Sequence, residues 1–317
     1  MLAQEVLEGK TRSIARAISW IENEHEGKEE LIDTLYPHCG QSVVWGVTGP
    51  PGSGKSSLVD HMISRLRASG KKVAVIAVDP SSPFSGGAIL GDRVRMQRHA
   101  TDEGVFIRSM ASRGHLGGVA GGTADAIKVL DAAGFDVILI ETIGVGQTEI
   151  EVIELADLVL LILVPGLGDE IQALKAGVME IGDIFIINKS DRDEADKLKA
   201  EVEYVLGFKS VDEHSVKNPV LMTSAKLNLG IDELLETAET YFQTILNNGR
   251  LEEKRRQRIA LEIKHVLAGK IENELQQYMQ KSERMDEWVQ SVFTHKRSPY
   301  ALINEKFIKF MEEYKKP

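Results

Sequence analysis

Over residues 41–250, apolar positions occur in short, nearly continuous runs separated by polar and glycine-rich segments. Strands of a parallel sheet have this pattern when helices cover both faces, because both sides of each strand are then buried. The sequence therefore predicts an α/β fold with a mostly parallel, helix-sandwiched sheet. The polar or glycine residues after each run would form ligand loops at the carboxyl edge of that sheet. The runs are SVVWGVTG, KVAVIAVD, GVFIRSM, FDVILIET, DLVLLILVP, DIFIINK and PVLMTSA.

Helical spacing replaces these runs at both ends of the chain. The first stripe consists of Ile14, Ala17, Ile18 and Ile21. The second consists of Ile259, Ile263, Val266, Ile271 and Leu275, among many charged residues. After the second stripe, a break at SPY precedes a last predicted helix, ALINEKFIKFMEEYKK.

These patterns predict three parts: an N-terminal helical segment at 1–40, a sheet domain at 41–250 and a C-terminal helical extension at 251–317. The extension either packs against the sheet domain or forms a partner surface. Within it, the charged segment EEKRR around Arg255 is typical of a solvated helix face.

Composition narrows the class of protein. The chain has 317 residues and a formal net charge of −10, which argues against a nucleic-acid partner because phosphate binding needs a basic face. The single cysteine, Cys39, cannot form an internal disulfide, which favours a reducing compartment. No run reaches the roughly 18–20 apolar residues of a membrane span. We expect a cytoplasmic protein that is not bound to a membrane.

A phosphate-binding loop motif, GPPGSGKSS, directly follows the first apolar run. It fits the pattern G-x-x-x-x-G-K-[ST], in which backbone N–H groups surround phosphate oxygens at the N-terminus of a helix. Lys55 would reach the β- and γ-phosphates, and the Ser56 hydroxyl would bind magnesium. A glycine-rich turn without a ligand is disfavoured, because run, loop and predicted helix follow in the order the motif requires. The motif predicts a P-loop NTPase whose loop is formed by Gly49, Pro50, Pro51, Gly52, Ser53, Gly54, Lys55, Ser56 and Ser57.

Two later segments indicate which base is bound. Asn188, Lys189 and Asp191 follow a buried run in an N-K-x-D arrangement. A carboxylate at the last position accepts both guanine N1–H and the 2-amino group, a donor pair that adenine lacks. The second segment, whose backbone would meet guanine O6, is Ser224, Ala225 and Lys226. These segments predict GTP rather than ATP.

Acidic residues at the predicted carboxyl edge are candidate magnesium ligands. Glu141 ends a strand at the position where a nucleotide-binding protein usually has an aspartate. Asp79 ends the second strand, and Asp92 lies in a glycine-flanked loop. Oxygen ligands of this kind suit magnesium. The alternative for Asp79 is a helix cap or turn residue, and for Asp92 a surface charge.

The usual water-orienting glutamine of small GTPases is absent from its expected place, because Val145 follows Gly144. Gln147 lies two residues further on. The Pro/Gly-rich segment at 164–177, which contains Asp169, Glu170 and Lys175, is a candidate third mobile segment. We expect slow hydrolysis until a partner orders these loops.

Two smaller features each allow two interpretations. Arg108, Arg113 and His115 lie in or beside a glycine-rich segment, which is either a second phosphate-side or partner-sensing loop or a plain connection. His38 and Cys39 are adjacent. A metal site needs three or four converging ligands, so this pair favours an ordinary loop.

Taken together, the blocks GPPGSGKSSL, VDPSSPFSGGAILGDRVRM, FIRSMASRGHLGG, ETIGVGQTE, PGLGDEIQALKAGVMEIGDI and NKSD resemble the MeaB/ArgK-type GTPases. These are chaperones of methylmalonyl-CoA mutase, an adenosylcobalamin enzyme, and belong to the glutamate-variant P-loop metallochaperone GTPases. The resemblance implies that Glu141 is a family trait. It also implies a homodimer formed through the C-terminal extension, and GTP binding and hydrolysis that gate adenosylcobalamin delivery to the mutase and protect it.

The resemblance also implies roles for single residues. Asp92 and Glu141 match the first and second switches, and Asp79 matches a further acid near the metal. Lys175 matches the catalytically implicated lysine of the third switch. Lys55, Glu141 and Lys175 are therefore the expected catalytic residues, and Ser56, Asp79, Asp92 and Glu141 the expected metal ligands.

Departures and alternatives remain at this point. SAKLNLG is less glycine-rich than is usual after the base loop, and the helical tail differs in detail. One alternative is a kinase of a transport system, for which the sequence offers no distinctive general base or acceptor pocket. Another is a nickel chaperone, which the missing His-rich or Cys-pair cluster disfavours.

Overall fold

The computed structural model describes residues 1–79, 97–99, 101–111, 118–142, 153–166, 178–208, 216–281 and 284–314. The strands of these residues form one seven-stranded sheet in the order β3-β2-β4-β1-β5-β6-β7, and every neighbouring pair is parallel. The prediction of a parallel P-loop sheet is confirmed. The strands are β1 (Val43–Thr48), β2 (Val73–Asp79), β3 (Val105–Ala111), β4 (Val137–Thr142), β5 (Leu158–Leu163), β6 (Ile184–Ile187) and β7 (Val220–Met222).

Helices precede, connect and follow these strands. Short 3₁₀ turns lie at Tyr36–His38 and Gln97–His99. None of the described helices is long and apolar enough to cross a membrane. The described α-helices are α1 (Leu2–Leu7), α2 (Thr11–Glu22), α3 (Lys28–Leu35), α4 (Lys55–Ala68), α5 (Gly118–Ala132), α6 (Val178–Ile181), α7 (Ala195–Leu206), α8 (Ile231–Asn247), α9 (Arg250–Lys281), α10 (Arg284–Phe293) and α11 (Pro299–Tyr314).

Both faces of the central strands are buried, which explains their continuous apolar runs. In β4, Ile138 and Ile140 pack in a core with α2 and α5. The alternate residues Val137 and Leu139 pack on the opposite side, in a core with α4 and α8. Successive side chains of a strand point to opposite faces, so a sheet covered on both sides needs apolar residues at every position.

The chain divides into two compact units, Met1–Ala260 and Leu261–Pro317. The first 40 residues belong to the same unit as the sheet, because Ile14, Ile18 and Ile21 of α2 lie in the sheet's own core. That unit also continues past residue 250, where the sequence predicted that the helical extension begins.

Within the first unit, ion pairs hold the start of α9 to the residue that precedes β5. The Arg255 guanidinium binds Asp157, which is 0% exposed, through contacts of 2.9 and 2.6 Å. Arg258 adds a contact of 3.3 Å to the same carboxylate. The prediction that the segment around Arg255 is a solvated face was therefore wrong for Arg255, although Arg256 is exposed. Its partner Asp157 lies 98 positions away, so no local pattern pointed to the pair.

Candidate nucleotide-binding site

The predicted nucleotide loops converge at the carboxyl edge of the sheet. The P-loop leaves β1 after Thr48, and Val47 is in register with Glu141 at the end of β4. On the other side of β1, the segment containing Asn188 follows β6 and the segment containing Ser224 follows β7. Because all these strands are parallel, their carboxyl ends meet at one edge.

The P-loop curls around the ammonium group of Lys55. Gly52 and Gly54 adopt positive φ angles of 76° and 88°. The Lys55 Nζ donates hydrogen bonds to the carbonyl oxygens of Gly49 at 2.8 Å and Pro50 at 3.0 Å. Lys55 also begins α4, so the positive N-terminal end of that helix opens onto the loop. Lysine, loop and helix end together form a site for phosphate oxygens.

Glycine is required at position 54 because Asn188 lies close to its Cα as well as because its φ angle is positive. A Cβ at this position would lie 2.5 Å from the Nδ2 of Asn188, closer than real Cβ contacts come. A side chain at residue 54 would therefore force the P-loop away from the segment after β6.

A hydrogen bond joins two of the predicted magnesium ligands. The Ser56 hydroxyl donates to Oε1 of Glu141 at 2.6 Å, and the two residues are 7% and 3% exposed. Beside them, the Thr142 hydroxyl donates to the Thr48 hydroxyl at 3.0 Å. A hydroxyl and a carboxylate are hard oxygen donors of the type that magnesium prefers, so this pair fits the predicted metal.

The other predicted metal and catalytic residues are described less fully. Asp79 ends β2 at the same edge, and the preceding residue, Val78, is in register with Thr142. The position of the Asp79 side chain lies outside the described part of the structure, as do Asp92, Gln147 and Lys175 as whole residues. Their roles stay predictions.

Asn188 connects the P-loop to both predicted base-binding segments. Its buried Nδ2 donates to the Ser53 carbonyl at 2.7 Å. Its Oδ1 accepts from the Thr223 hydroxyl at 3.2 Å and from the Ala225 backbone N–H at 3.1 Å. One amide side chain therefore fixes the spacing between the phosphate loop and the loop at residues 224–230 after β7, called the base loop from here on.

Lys189 makes a second connection between the segment after β6 and the P-loop. It adopts a positive φ of 59°, and its Nζ donates to the Gly52 carbonyl at 2.7 Å. Its side chain thus runs from the segment after β6 to the P-loop, which fits its predicted place beside a bound base.

Asp191 has the charge that guanine recognition requires. It accepts a hydrogen bond of 2.6 Å from the Ser224 hydroxyl. This bond lowers the pKa of Asp191 below its ordinary value, with smaller contributions from the backbone N–H of Asp191 itself and from Lys226 and Arg192. The carboxylate is therefore ionised at neutral pH, ready to accept the paired N–H groups of a guanine edge.

Two contacts at this site were missed by sequence reasoning. Thr223 binds Asn188, and its place directly before the SAK segment was an available signal. Asp60 of α4 accepts from His99 at 2.9 Å and from Arg98 at 2.7 Å, so α4 holds the residues that follow the segment containing Asp92. No sequence spacing indicated that second contact.

Two of the remaining candidate residues, Arg108 and Cys39, have structural partners. Arg108 of β3 binds Glu22 and Ser19 of α2, which fastens an N-terminal helix to the sheet. Arg113 and His115 lie outside the described residues. The Cys39 thiol donates to the Lys128 carbonyl at 3.3 Å, and burial raises its pKa to about 11. Among the described residues, no three His, Cys, Asp or Glu side chains converge as a metal site.

Comparison with known proteins shows which family this chain is similar to. Residues 14–280 match the model of the family described as methylmalonyl-CoA mutase-associated GTPase MeaB. A predicted GTPase of Pyrococcus abyssi is 47% identical over 302 residues, which cover 95% of this chain and 93% of the relative. The GTPase ArgK of Escherichia coli is 38% identical over 260 residues, covering 79% and 78%. A crystal structure of a LAO/AO transport system kinase is 27% identical, with a TM-score of 0.69 and coverage of 97% and 96%.

Proposed function

This chain belongs to the MeaB family of methylmalonyl-CoA mutase-associated GTPases, and from that membership we propose that it binds GTP with magnesium to gate adenosylcobalamin delivery to an acyl-CoA mutase. Methylmalonyl-CoA mutase is the expected partner, and protection of that enzyme is part of the proposed role. The contact that supports the nucleotide part most directly is the Asn188 bridge between the P-loop and the base loop.

The described side chains have distinct roles in this proposal. Lys55 and the N-terminus of α4 bind the phosphates, and Asp191 with the Ala225 segment binds the guanine edge. Ser56 and Glu141 would hold magnesium, which supplies positive charge beside the β- and γ-phosphates. Lys55 would also stabilise the negative charge that develops on the transferred phosphoryl group.

Hydrolysis is proposed to be slow in the isolated protein. The segment with Lys175 begins at the carboxyl end of β5, where the Pro165 carbonyl accepts a hydrogen bond of 3.4 Å from Arg192. The third predicted switch thus starts next to the segment that contains Asn188 and Asp191. Partner binding that places Lys175 beside the phosphates would raise the rate.

Exposed apolar side chains in the second unit support a role in assembly. Within the described part of Leu261–Pro317, the side chains that are at least half exposed include Ile263, Val266, Leu267, Ile271, Val289 and Phe293. Covering such side chains is favourable by about 25 cal/mol per Å² of apolar surface. We propose that they form a homodimer contact, in line with what the family resemblance implies.

The nucleotide part is tested by titration calorimetry of the purified full chain with GDP, a non-hydrolysable GTP analogue and ADP. Binding of both guanine nucleotides in preference to ADP is expected. No heat with either guanine nucleotide, from protein that is folded by circular dichroism, would refute it.

The mutase part is tested by pull-down of purified adenosylcobalamin-dependent mutases, compared between GDP and the GTP analogue. Nucleotide-dependent capture of one mutase is expected. Equal or absent capture of all of them in both nucleotide states would contradict the gating role.

The transport-kinase alternative has one observation in its favour, the name of the similar crystal structure. It predicts that γ-labelled GTP transfers its label to a second protein. The GTPase proposal predicts release of the label as inorganic phosphate.

A further inference from the structure

Helix α4 contacts the base loop as well as beginning the phosphate site. At its start, Lys55 and Ser56 belong to the P-loop motif. Further along, the His61 ring lies with Nε2 2.9 Å from the Ala225 carbonyl oxygen. A carbonyl oxygen only accepts hydrogen bonds, so the Nε2 of His61 carries the hydrogen and donates it.

One turn later on the same face, Arg65 contacts the other end of the base loop. Its Nε donates to Oδ1 of Asp232 at 2.7 Å, and one Nη donates to Oδ1 of Asn228 at 3.3 Å. His61 and Arg65 are four positions apart, a spacing that places both side chains on one face of a helix. The Asp232 side chain is 73% exposed, so its ion pair contributes little stability alone.

The base loop between these two contacts is a tight turn. Ser224 and Leu229 pair as a short antiparallel bridge that closes it. Gly230 follows with a φ of 73°, and a Cβ there would lie 2.3 Å from the Met222 carbonyl oxygen. Leu227 and Leu229 are about half exposed, so the outer part of the turn packs against little of the protein. Side-chain contacts at its inner end therefore matter for its orientation.

The peptide groups on both sides of the Ala225 Cα are fixed by side chains. Asn188 Oδ1 accepts from the Ala225 N–H, and His61 donates to the Ala225 carbonyl. That carbonyl shares a planar trans peptide group with the N–H of Lys226, which therefore points away from it. The His61 contact thus sets the direction of the Lys226 N–H.

We propose that His61 is a specificity-determining positioning residue, which orients the Ala225–Lys226 peptide for guanine, while Arg65 holds the far end of the loop. The inference rests on the proposed guanine-nucleotide site. Because the same helix carries Lys55 and Ser56, α4 sets the spacing between the phosphate and base sites. Loss of the His61 contact should therefore weaken binding of the base and leave binding of the phosphates intact.

The test compares GDP with ADP, which shares the phosphates but not the guanine edge, in competition with fluorescent GDP on the full chain. In His61→Ala, GDP affinity is expected to fall about tenfold, the size of one well-placed hydrogen bond and its ordering effect, while ADP affinity stays the same. His61→Gln, whose side-chain amide can donate to the same carbonyl, should recover most of the lost preference.

A matched control is Arg67→Ala on the same helix. Arg67 binds Asp102 at 2.9 Å and the Lys71 carbonyl at 2.7 Å, on the side away from the base loop. This variant should keep the wild-type ratio of GDP to ADP affinity even if it lowers stability.

Three results would overturn the inference: equal weakening of both nucleotides in His61→Ala, unchanged GDP affinity in that variant, or no recovery in His61→Gln. A wild-type protein with no preference for GDP over ADP would instead refute the proposed function. The two failures are therefore distinguishable in one set of measurements.

Discussion

Buried polar side chains lie at both edges of the seven-stranded sheet, but their described partners differ. At the amino edge, Asp157 accepts from Arg255 and Arg258, and also from the Val44 N–H at 3.1 Å. Nearby, Asp183 accepts from the Val159 N–H at 2.9 Å and from Lys254 at 3.3 Å. These contacts are mostly between opposite charges, and they hold the first turns of α9 to the strands.

At the carboxyl edge, the described contacts of the charged groups include backbone and hydroxyl partners. Lys55 donates to two carbonyl oxygens of its own loop, Glu141 accepts from Ser56, and Asp191 accepts from Ser224. The ion pairs at the amino edge anchor a helix, whereas the backbone and hydroxyl contacts at the carboxyl edge orient charged groups. A buried charge therefore indicates a binding site only when its partners and its place in the fold are known. We therefore expect substitutions at the two edges to affect different quantities.

The largest expected effect is on catalysis at the carboxyl edge. In Lys55→Ala, the rate of GTP hydrolysis should fall on the order of 10³-fold, because an oriented positive charge beside the transferred phosphoryl group is lost. The free energy of unfolding should change much less, by about 1 kcal/mol, the size of a typical hydrogen bond such as those to the loop carbonyls. Phosphate release and urea unfolding measure the two quantities. If Lys55→Ala hydrolysed GTP at the wild-type rate, Lys55 would not be part of the proposed site.

The reverse is expected at the amino edge. In Asp157→Ala, the free energy of unfolding should fall by about 3 kcal/mol, because two guanidinium groups and the Val44 N–H lose a buried acceptor. GDP affinity should change less than about threefold, since the site lies at the opposite end of the strands.

The control for Asp157→Ala is Arg256→Ala, which removes an exposed ion pair with Glu252 and should cost less than about 1 kcal/mol. Urea unfolding and GDP titration test both variants. A large loss of GDP affinity in Asp157→Ala would show instead that the two edges of the sheet are coupled.

The third effect concerns metal dependence at the carboxyl edge. Glu141→Gln keeps the shape of the side chain but removes its charge, so the magnesium concentration for half-maximal GTP hydrolysis should rise about tenfold. Glu141→Asp retains a carboxylate and should shift that concentration less. If both variants responded to magnesium as the wild type does, Glu141 would not be a metal ligand.

The sequence predicted the fold, and it predicted which loops meet at the candidate site, because both depend on local patterns. Apolar runs identified the strands, and GPPGSGKSS fixed the geometry around Lys55 through glycine positions and a helix start. The N-K-x-D segment similarly predicts Asp191 as an acceptor for guanine, and that role stays a prediction.

Contacts between distant segments were not predictable in this way. His61 lies 164 positions from Ala225, and Arg255 lies 98 positions from Asp157. A histidine or arginine on a charged helix has the same local pattern whether it faces solvent or a buried acceptor. Only the packing of α4 and α9 on the sheet decides between these outcomes.

The smallest expected effect is on the pH dependence of GDP binding. Ser224 donates to Asp191 and lowers its pKa, so GDP affinity should hold at neutral pH and fall as the pH drops through that lowered pKa. In Ser224→Ala the pKa of Asp191 rises towards its ordinary value, although Lys226 and Arg192 still lower it. The loss of GDP binding should then begin at a higher pH than in the wild type.

Titrations over the acid range in which circular dichroism shows folded protein measure this shift, with Ser224→Thr as the control that keeps the hydroxyl. An unmoved or lower midpoint in Ser224→Ala would mean that the Ser224 hydrogen bond does not control the charge of Asp191.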